Sequence, residues 1–344
     1  MTPAAGGPDA DRALVLGVDS GGSGLRAGLA VPSGAPGAGV RGDGVRGPAP
    51  VRSAEPVRTG VRGIDAEHFM TQLLPMAREL LDRAGGGRIV AVGIGAAGLA
   101  TLGDDLRARL PAALEQSLGV RRVALAADAV TAYAGALGDR PGAVVAAGTG
   151  LIAIGTDLAA WHRADGWGHL LGDCGSGAWI GRAGLEAVMR AHDGRDGGSK
   201  ALLGRAEDLF GPVAGLPAQL YPRTDRPAVL ASFAPHVAAC AADDPVARDI
   251  LCAAARHIAQ AAAAVCPAEG DCEVALTGGL FKLGEALTGP LDEELTERLP
   301  RAVRVPAAGD PLDGALRIAA DIAANRLRLP RDPRMLTVPG EDDS

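Results

Sequence analysis

The stretch LVLGVDSGGSGLRAGLAV (residues 14–31) predicts two β-strands joined by a glycine-rich turn. A second stretch, AVVAAGTGLIAIGTD (residues 143–157), repeats this design in the other half of the chain. Glycine takes positive φ angles and has no Cβ, so the backbone N–H groups of such turns can approach an anion closely. Two turns of this kind, one near the start of each half of the sequence, indicate that the linked phosphates of one ligand are held from both sides.

Composition limits the classes of protein to consider. The chain has 344 residues, of which 47% are apolar and 22% charged, and its net charge is −7. This length is enough for two globular domains, each with its own core. The acidic balance argues against nucleic acid or an acidic membrane surface as a partner. The sequence has no long apolar run and no basic start followed by an apolar stretch, so we expect a soluble, cytoplasmic protein.

The cysteines predict a reducing compartment. Five are present, an odd number, and none forms a CxxC pair. Free thiols are therefore the expectation for all of them. They are Cys174, Cys240, Cys252, Cys266 and Cys272.

Hydrophobic periodicity predicts a duplicated strand-rich unit. In the first copy we expect two strands within 13–31, a strand at 49–55, a helix at 64–84, a strand at 88–93, a helix at 104–118 and a strand at 122–127. In the second we expect strands at 142–147, 151–156 and 273–276 and helices at 179–192, 226–241, 245–266 and 313–327. The predicted domains are 12–138, completed by a C-terminal helix at 312–327, and 139–311, with flexible tails at 1–11 and 328–344.

The first glycine turn carries a candidate nucleotide site. Its backbone N–H groups at Gly21 and Gly22, with the hydroxyls of Ser20 and Ser23, could hold phosphate oxygens. Asp19, at the end of the first strand, could hold a magnesium ion through water. An ordinary hairpin turn is the alternative for this segment taken alone.

Two later glycine segments repeat this chemistry. Gly148, Thr149 and Gly150 form the second turn, with Thr149 supplying the hydroxyl. Gly278 and Gly279 follow the strand at 273–276, where the backbone could approach a nucleotide base or ribose closely. Taken alone, this last pair is more typical of a plain strand-to-helix turn.

Asp128 lies where a strand ends and a helix begins. As an N-cap, its carboxylate would accept hydrogen bonds from the first turn of the helix. As a general base, it would accept the proton of an attacking hydroxyl. The flanking glycine turns favour the general base.

The segment GWGHLLGDCGSGAWIG (residues 166–181) is unusually rich in glycine for a structural loop and also contains a tryptophan. We interpret it as a substrate loop in which Asp173 accepts hydrogen bonds from ligand hydroxyls. Gly166, Trp167 and Gly168 form its first part. A metal site at His169 is disfavoured, because only His162 lies at a partner spacing.

These five segments in this order resemble the superfamily of sugar kinases, actin and heat-shock ATPases, and more closely the BadF/BadG/BcrA/BcrD ATPase family, which includes N-acetylglucosamine kinase. The resemblance covers about residues 14–324. It implies an α/β fold of two ribonuclease-H-like (actin/hexokinase-type) domains with a central ATP cleft. It also implies ATP and Mg²⁺ as cofactors, a small-molecule sugar as substrate, and a homodimer.

The resemblance also assigns roles to positions of this chain. Asp19 resembles the magnesium-associated acid, while Ser23 and Thr149 resemble the hydroxyl residues of the two phosphate turns. Asp128 matches the catalytic base. The sugar-binding loop corresponds to Gly166, Trp167, Gly168 and Asp173, and the adenosine segment to Gly278 and Gly279.

Three departures from the family pattern lie on the sugar side. Gly60 stands where the family has a sugar-binding asparagine, and Leu151 stands where the N-acetylglucosamine kinases have a serine. Cys174 replaces the glutamate of the DEGS motif. Nucleotide binding is therefore better supported than any particular sugar.

The resulting functional prediction is an ATP-dependent kinase that phosphorylates an amino sugar, N-acetylglucosamine or glucosamine, at the 6-hydroxyl, with Asp128 as general base. One alternative is an ATPase activator of a dehydratase or reductase, which would need an iron–sulfur cluster. A second alternative is a non-catalytic sugar or nucleotide sensor, which the three sugar-side departures make plausible.

Overall fold

The computed structural model describes residues 12–22, 24–32, 47–60, 63–268 and 272–339. The predicted tail at 1–11 and the predicted phosphate ligand Ser23 lie outside these ranges. The chain divides into two compact units. The first comprises Met1–Pro141, Thr156–Trp161 and Pro306–Ser344, and the second Gly142–Gly155 and His162–Val305.

The first unit is built on a mixed sheet with strand order β13-β7-β6-β1-β2-β3. Strands β1 and β2 are antiparallel, whereas β6 runs parallel to β1 and β7 parallel to β6. A small separate hairpin is formed by β4 and β5. The strands are β1 (Ala13–Gly21), β2 (Gly24–Ala30), β3 (Val51–Arg52), β4 (Thr59–Gly60), β5 (Gly63–Ile64), β6 (Arg88–Ala96), β7 (Arg122–Ala127) and β13 (Leu336–Thr337).

The described residues of this unit form the helices α1 (Ala66–Arg83), α2 (Leu99–Leu102), α3 (Asp104–Leu118), α4 (Asp128–Ala136) and α12 (Pro311–Ala323). Helix α1 shows why the sequence folds this way. Asp65 caps its start by accepting hydrogen bonds from Glu67 N and His68 N. Its apolar residues recur at helical spacing, so Phe69, Leu73 and other side chains on that face enter the core under the sheet.

The last helix of the chain, α12, packs against β1, β6 and α4. Its start is fixed by a capping box, in which the Asp310 carboxylate accepts from the backbone of Asp313 and the Asp313 carboxylate accepts from Asp310 N. Gly314 allows a close approach to α4, because a Cβ at this position would lie 1.9 Å from Thr131 O. The first unit therefore contains a helix from the far end of the chain.

The second unit has a five-stranded sheet of order β10-β9-β8-β11-β12, in which β11 runs parallel to β8. Its strands are β8 (Gly142–Ala147), β9 (Leu151–Thr156), β10 (Trp161–Asp165), β11 (Cys272–Thr277) and β12 (Ala302–Pro306). Its helices are α5 (Gly177–Asp193), α6 (Lys200–Phe210), α7 (Leu216–Leu220), α8 (Arg226–Ser232), α9 (Ala234–Cys240), α10 (Pro245–Val265) and α11 (Glu285–Arg298), with 3₁₀ turns at Val213–Gly215 and Gly279–Leu283. Across the described ranges, no helix combines the length and apolar character needed to cross a bilayer.

Three sequence predictions need correction here. The single helix expected at 226–241 is two helices, α8 and α9, and the break precedes Pro235, whose ring and missing N–H interrupt a continuous helix. The strand expected at 49–55 contains only Val51–Arg52. The tail expected from 328 is wrong for 328–339, because Leu336 is fully buried and pairs with Ala126 of β7.

The prediction of five free thiols is also wrong for two of the cysteines. Cys266 follows α10 and Cys272 begins β11, and a disulfide joins them. Because the chain returns from the helix to the sheet between them, their Cα atoms lie 6.5 Å apart. Cys174, Cys240 and Cys252 are free thiols.

Candidate active site

In the first unit, the glycine turn joins β1 to β2 directly, and Gly21 pairs with Gly24 across it. A Cβ added at Gly21 or Gly22 would meet no atom within 4 Å. As far as the described residues show, the backbone at these two glycines is open to an approaching anion.

Asp19 lies on β1 near this turn, directly opposite Arg26 on β2. Arg26 Nε donates to Asp19 Oδ2 at 3.2 Å, and a second nitrogen of the same guanidinium donates to Asp310 Oδ2 at 3.0 Å. Burial raises the pKa of Asp19, and the adjacent Arg26 only partly opposes this. For Asp310 burial acts in the same direction, but hydrogen bonds from Arg26 and the start of α12 outweigh it and lower the pKa.

Asp128 is the first residue of α4, and Ala127 precedes the helix without a side-chain cap. Asp128 Oδ1 accepts a hydrogen bond of 2.9 Å from Ala129 N. Its carbonyl oxygen accepts from the hydroxyl of fully buried Thr131, also at 2.9 Å. Asp128 is half-buried and directly follows the C-terminal end of β7.

Gly60 is exposed on the short strand β4, and a Cβ added there would meet no atom within 4 Å. The position has room for the asparagine that the family resemblance places here. Glycine itself supplies no side-chain hydrogen bond to a sugar.

In the second unit, the turn between β8 and β9 is fixed through its carbonyl groups. Gly148 O accepts from Gly177 N at 2.8 Å, and Thr149 O accepts from Ala178 N at 3.0 Å, both at the start of α5. Gly148 N donates to Gly150 O at 2.8 Å. Within the described ranges, the N–H groups of Thr149 and Gly150 donate to no backbone carbonyl, so they are available for phosphate oxygens.

Gly278 and Gly279 follow β11, which runs parallel to β8 and pairs Thr277 with Ala146. Both glycine segments therefore lie at the same edge of the sheet. Gly278 has a φ of +105°, and a Cβ there would lie 2.1 Å from Ala147 O, so glycine is required for this approach.

The substrate loop begins after β10, and Asp165 fixes its path. The Asp165 carboxylate accepts from Asp173 N at 2.6 Å and from Cys174 N at 2.9 Å, one bond to each oxygen. Asp165 and Asp173 both have positive φ angles, of 61° and 54°. Two carboxylates therefore bracket the loop, one at each end.

Asp173 is the closing residue of this loop and also touches the second turn. Its carboxylate accepts hydrogen bonds from the backbone of Leu151 and of Gly168. Burial is the main cause that raises the pKa of Asp173, nearby Asp165 adds to it, and the two backbone hydrogen bonds oppose it.

The outer part of the loop exposes apolar side chains. Trp167, Leu170 and Leu171 are 62%, 79% and 85% exposed. The Arg163 guanidinium lies 4.3 Å from the centre of the Trp167 ring and donates to Gly166 O at 2.7 Å. Trp167 is thus held on one face and open to solvent on the other.

With these turns and this loop in place, comparison with known proteins gives the relationship. The chain matches the model of the BadF/BadG/BcrA/BcrD ATPase family over residues 16–319. It belongs to the BadF/BadG/BcrA/BcrD ATPase family. The resemblance predicted from the motifs is confirmed.

Two of the similar proteins are named as amino-sugar kinases. An N-acetylmuramic acid/N-acetylglucosamine kinase of Clostridium acetobutylicum is 38% identical over 90 residues, which are 26% of this chain and 29% of that enzyme. A proposed N-acetylglucosamine kinase of Chromobacterium violaceum superposes with a TM-score of 0.64 at 27% identity, covering 89% of this chain and 98% of the other.

A more distant likeness concerns the fold alone. A ROK family glucokinase of Streptomyces griseus, solved with glucose and AMPPNP, superposes with a TM-score of 0.52 at 22% identity, covering 91% of this chain and 99% of the other. Together with the two sheets described above, these structures confirm the predicted α/β fold of two ribonuclease-H-like domains.

For this member of the BadF/BadG/BcrA/BcrD ATPase family, sequence reasoning missed four polar side chains. Asp310 begins the segment Asp-Pro-Leu-Asp, a capping signature that could have been recognised. Arg26, Arg163 and Asp165 carry no local signal, because their roles depend on partners brought close by the fold.

Proposed function

We propose that this protein is an ATP-dependent carbohydrate kinase that phosphorylates an amino sugar, N-acetylglucosamine or glucosamine, at the 6-hydroxyl. The observation that carries the proposal is the arrangement of the second turn. The N–H groups of Thr149 and Gly150 are open to an anion, and the backbone of the adjacent Leu151 donates a hydrogen bond to the Asp173 carboxylate of the substrate loop. The amino-sugar kinases among the relatives support this class of acceptor.

In this proposal the glycine turns bind ATP. Gly21, Gly22 and Ser23 of the first turn and Gly148, Thr149 and Gly150 of the second bind phosphate oxygens. Gly278 and Gly279 lie beside the adenosine. Phosphoryl transfer depends mainly on alignment and charge stabilisation, so these N–H groups contribute by holding the phosphates in line with the acceptor.

Asp128 is the proposed general base. Its carboxylate takes the proton from the acceptor hydroxyl as that oxygen bonds to the terminal phosphorus and ADP departs. A positioned base of this kind contributes about 10²–10⁴-fold to the rate. Gly60, Gly166, Trp167, Gly168 and Asp173 are proposed to bind the sugar.

Asp19 is the residue proposed to hold Mg²⁺, which would neutralise charge on the phosphates. Its carboxylate lies near the first turn with one oxygen bonded to Arg26. Among the described residues, no group of three or more His, Cys, Asp or Glu side chains could hold a metal ion. Asp19 therefore fits a magnesium ion that takes most of its ligands from phosphate and water, as Mg²⁺ commonly does.

One observation favours a second candidate, a sugar or nucleotide sensor without turnover. Gly60 supplies no side chain where a sugar-binding asparagine is expected, and among the described residues no atom lies within 4 Å of a Cβ built there. A sensor would bind its ligands and release no ADP.

A coupled assay of ADP release tests the kinase proposal. The panel is glucosamine, N-acetylglucosamine, N-acetylmannosamine, muramic-type sugars and glucose, each with ATP and Mg²⁺. We expect an amino sugar to stimulate ADP release above the sugar-free rate and to yield a sugar phosphate by mass spectrometry. Ligand-dependent thermal shifts without ADP release from any sugar would instead establish the sensor.

A homodimer and a cytoplasmic location remain predictions that rest on the family resemblance and on composition. Sedimentation velocity of the full chain measures the first directly. A single species at the monomer mass across the micromolar range would contradict it.

A further inference from the structure

We propose that Asp173 is a positioning residue that joins the second phosphate turn to the substrate loop, so that nucleotide and sugar bind with positive coupling. This inference rests on the proposed function. It adds a mechanism by which binding of one ligand raises the affinity for the other within the second unit. Asp173 is thereby more than a hydrogen-bond acceptor for the sugar.

The first step is the contact between Asp173 and the turn. Its carboxylate accepts from the backbone of Leu151. It also lies directly against Gly150, since a Cβ added to that glycine would be 2.8 Å from Asp173 Oδ2 and 3.2 Å from its Cγ. A carboxylate can approach this closely only because residue 150 has no side chain.

The second step is the contact between Asp173 and its own loop. The same carboxylate accepts from the backbone of Gly168, in the exposed half of the loop. Asp173 N is held in turn by Asp165 Oδ1 at 2.6 Å. The side chain is therefore tied to the loop and to the turn at once, with its backbone fixed by a second carboxylate.

The third step concerns the hydrogen bonds that fix the remainder of the turn. Gly148 O and Thr149 O accept from the first N–H groups of α5, and Ser176 N, just before that helix, donates to Asp173 O at 3.0 Å. Helix α5 thus fixes the first half of the turn, while Asp173 fixes the second half. The N–H groups offered to phosphate, at Thr149 and Gly150, lie between these two supports.

Coupling follows from this arrangement. A sugar that orders the loop fixes the Asp173 carboxylate, which fixes the turn before the nucleotide arrives. By reciprocity a nucleotide strengthens sugar binding by the same factor. Loss of the carboxylate is expected to weaken nucleotide binding even when no sugar is present.

A double-mutant cycle between Gly150→Ala and Asp173→Ala tests the proposal, with the Kd of ADP measured by calorimetry in the absence of sugar. The added methyl of Gly150→Ala displaces the carboxylate, so we expect about a tenfold weaker ADP affinity, the order of one charge-assisted hydrogen bond. In the Asp173→Ala background there is no carboxylate to displace, and Gly150→Ala should change the Kd less than about twofold. Asp173→Asn, which keeps the side-chain shape and one acceptor, serves if Asp173→Ala does not fold.

Leu171→Ala is the matched control, because its side chain lies in the same loop and is 85% exposed. It should leave the Kd of ADP unchanged. Equal ADP affinity in Asp173→Ala, Asp173→Asn and wild type would overturn the proposal, as would full additivity in the cycle. Absence of sugar-stimulated ADP release from wild type would contradict the kinase function instead, and the ADP cycle would remain informative.

Discussion

At the scale of single residues, three aspartates of the candidate site have different surroundings. Asp19 is bonded to Arg26, Asp173 accepts from two backbone N–H groups, and Asp128 stands at the first position of a helix, bonded to the adjacent N–H. Of these three, Asp128 alone is matched to the catalytic base by the family resemblance. Asp128 is therefore the candidate base, and its removal should affect turnover rather than nucleotide binding.

We predict that Asp128→Asn lowers kcat by about 10²–10⁴-fold, because the amide cannot accept the proton. The Kd of ADP should stay within about twofold of wild type, since the proposed phosphate ligands are unchanged. Steady-state ADP release and calorimetry measure the two quantities. Asp104→Asn, at the exposed first position of α3, is the matched control and should retain full activity. A variant of Asp128 with near wild-type kcat would exclude the assigned role.

At the scale of elements, local signals predicted some segments well and missed others for physical reasons. Helix α3 (Asp104–Leu118) and strand β7 (Arg122–Ala127) have the predicted bounds, because helical periodicity marks the helix, glycine ends it, and a short buried apolar run marks the strand. Strand β10, with the polar sequence WHRAD, was missed because its partner β9 makes it a strand. The glycine turns were predictable in the same way as α3, whereas the Arg26–Asp310 pair joins residues far apart in sequence.

The start of α12 gives a prediction at this scale. Asp310→Ala removes the acceptor for Leu312 N and Asp313 N together with the bond to Arg26, so we expect a loss of about 1–2 kcal/mol in the free energy of unfolding. Asp310→Asn retains a capping oxygen and should cost clearly less, because the half-exposed ion pair is screened by solvent. Urea denaturation compares the two variants. Equal losses would show that the ion pair, rather than the cap, stabilises this end of the helix.

At the scale of the whole molecule, two separate apolar cores stabilise the two units. One core lies around β1, β6 and α1, and the other around β8, β9 and α10. Helix α12 packs against β1 and β6 of the first unit and approaches α4 closely at Gly314. A change at this contact should therefore affect the first unit selectively.

We predict opposite effects from the same substitution in the two units. Gly314→Ala places a methyl 1.9 Å from Thr131 O, so it should destabilise the first unit by about 1–3 kcal/mol. Gly204→Ala, in helix α6 of the second unit, meets no atom within 4 Å and should stabilise by about 0.5–1 kcal/mol. Amide hydrogen exchange should show faster exchange in β1, β6 and β7 for the first variant only. A uniform change in amide exchange rates across both units would contradict the presence of two independent cores.

The position of α12 also has a consequence for biosynthesis. Leu316 of α12 lies against Gly17 of β1, so the sheet that begins the chain is covered by a helix near its end. A ribosome releases β1 and β2 before α12, and 142–155 and 162–305 emerge between them. We therefore expect the unit that begins first to finish folding last. Until α12 emerges, the sheet of this unit stays uncovered on the nascent chain, and we expect chaperones to shield it.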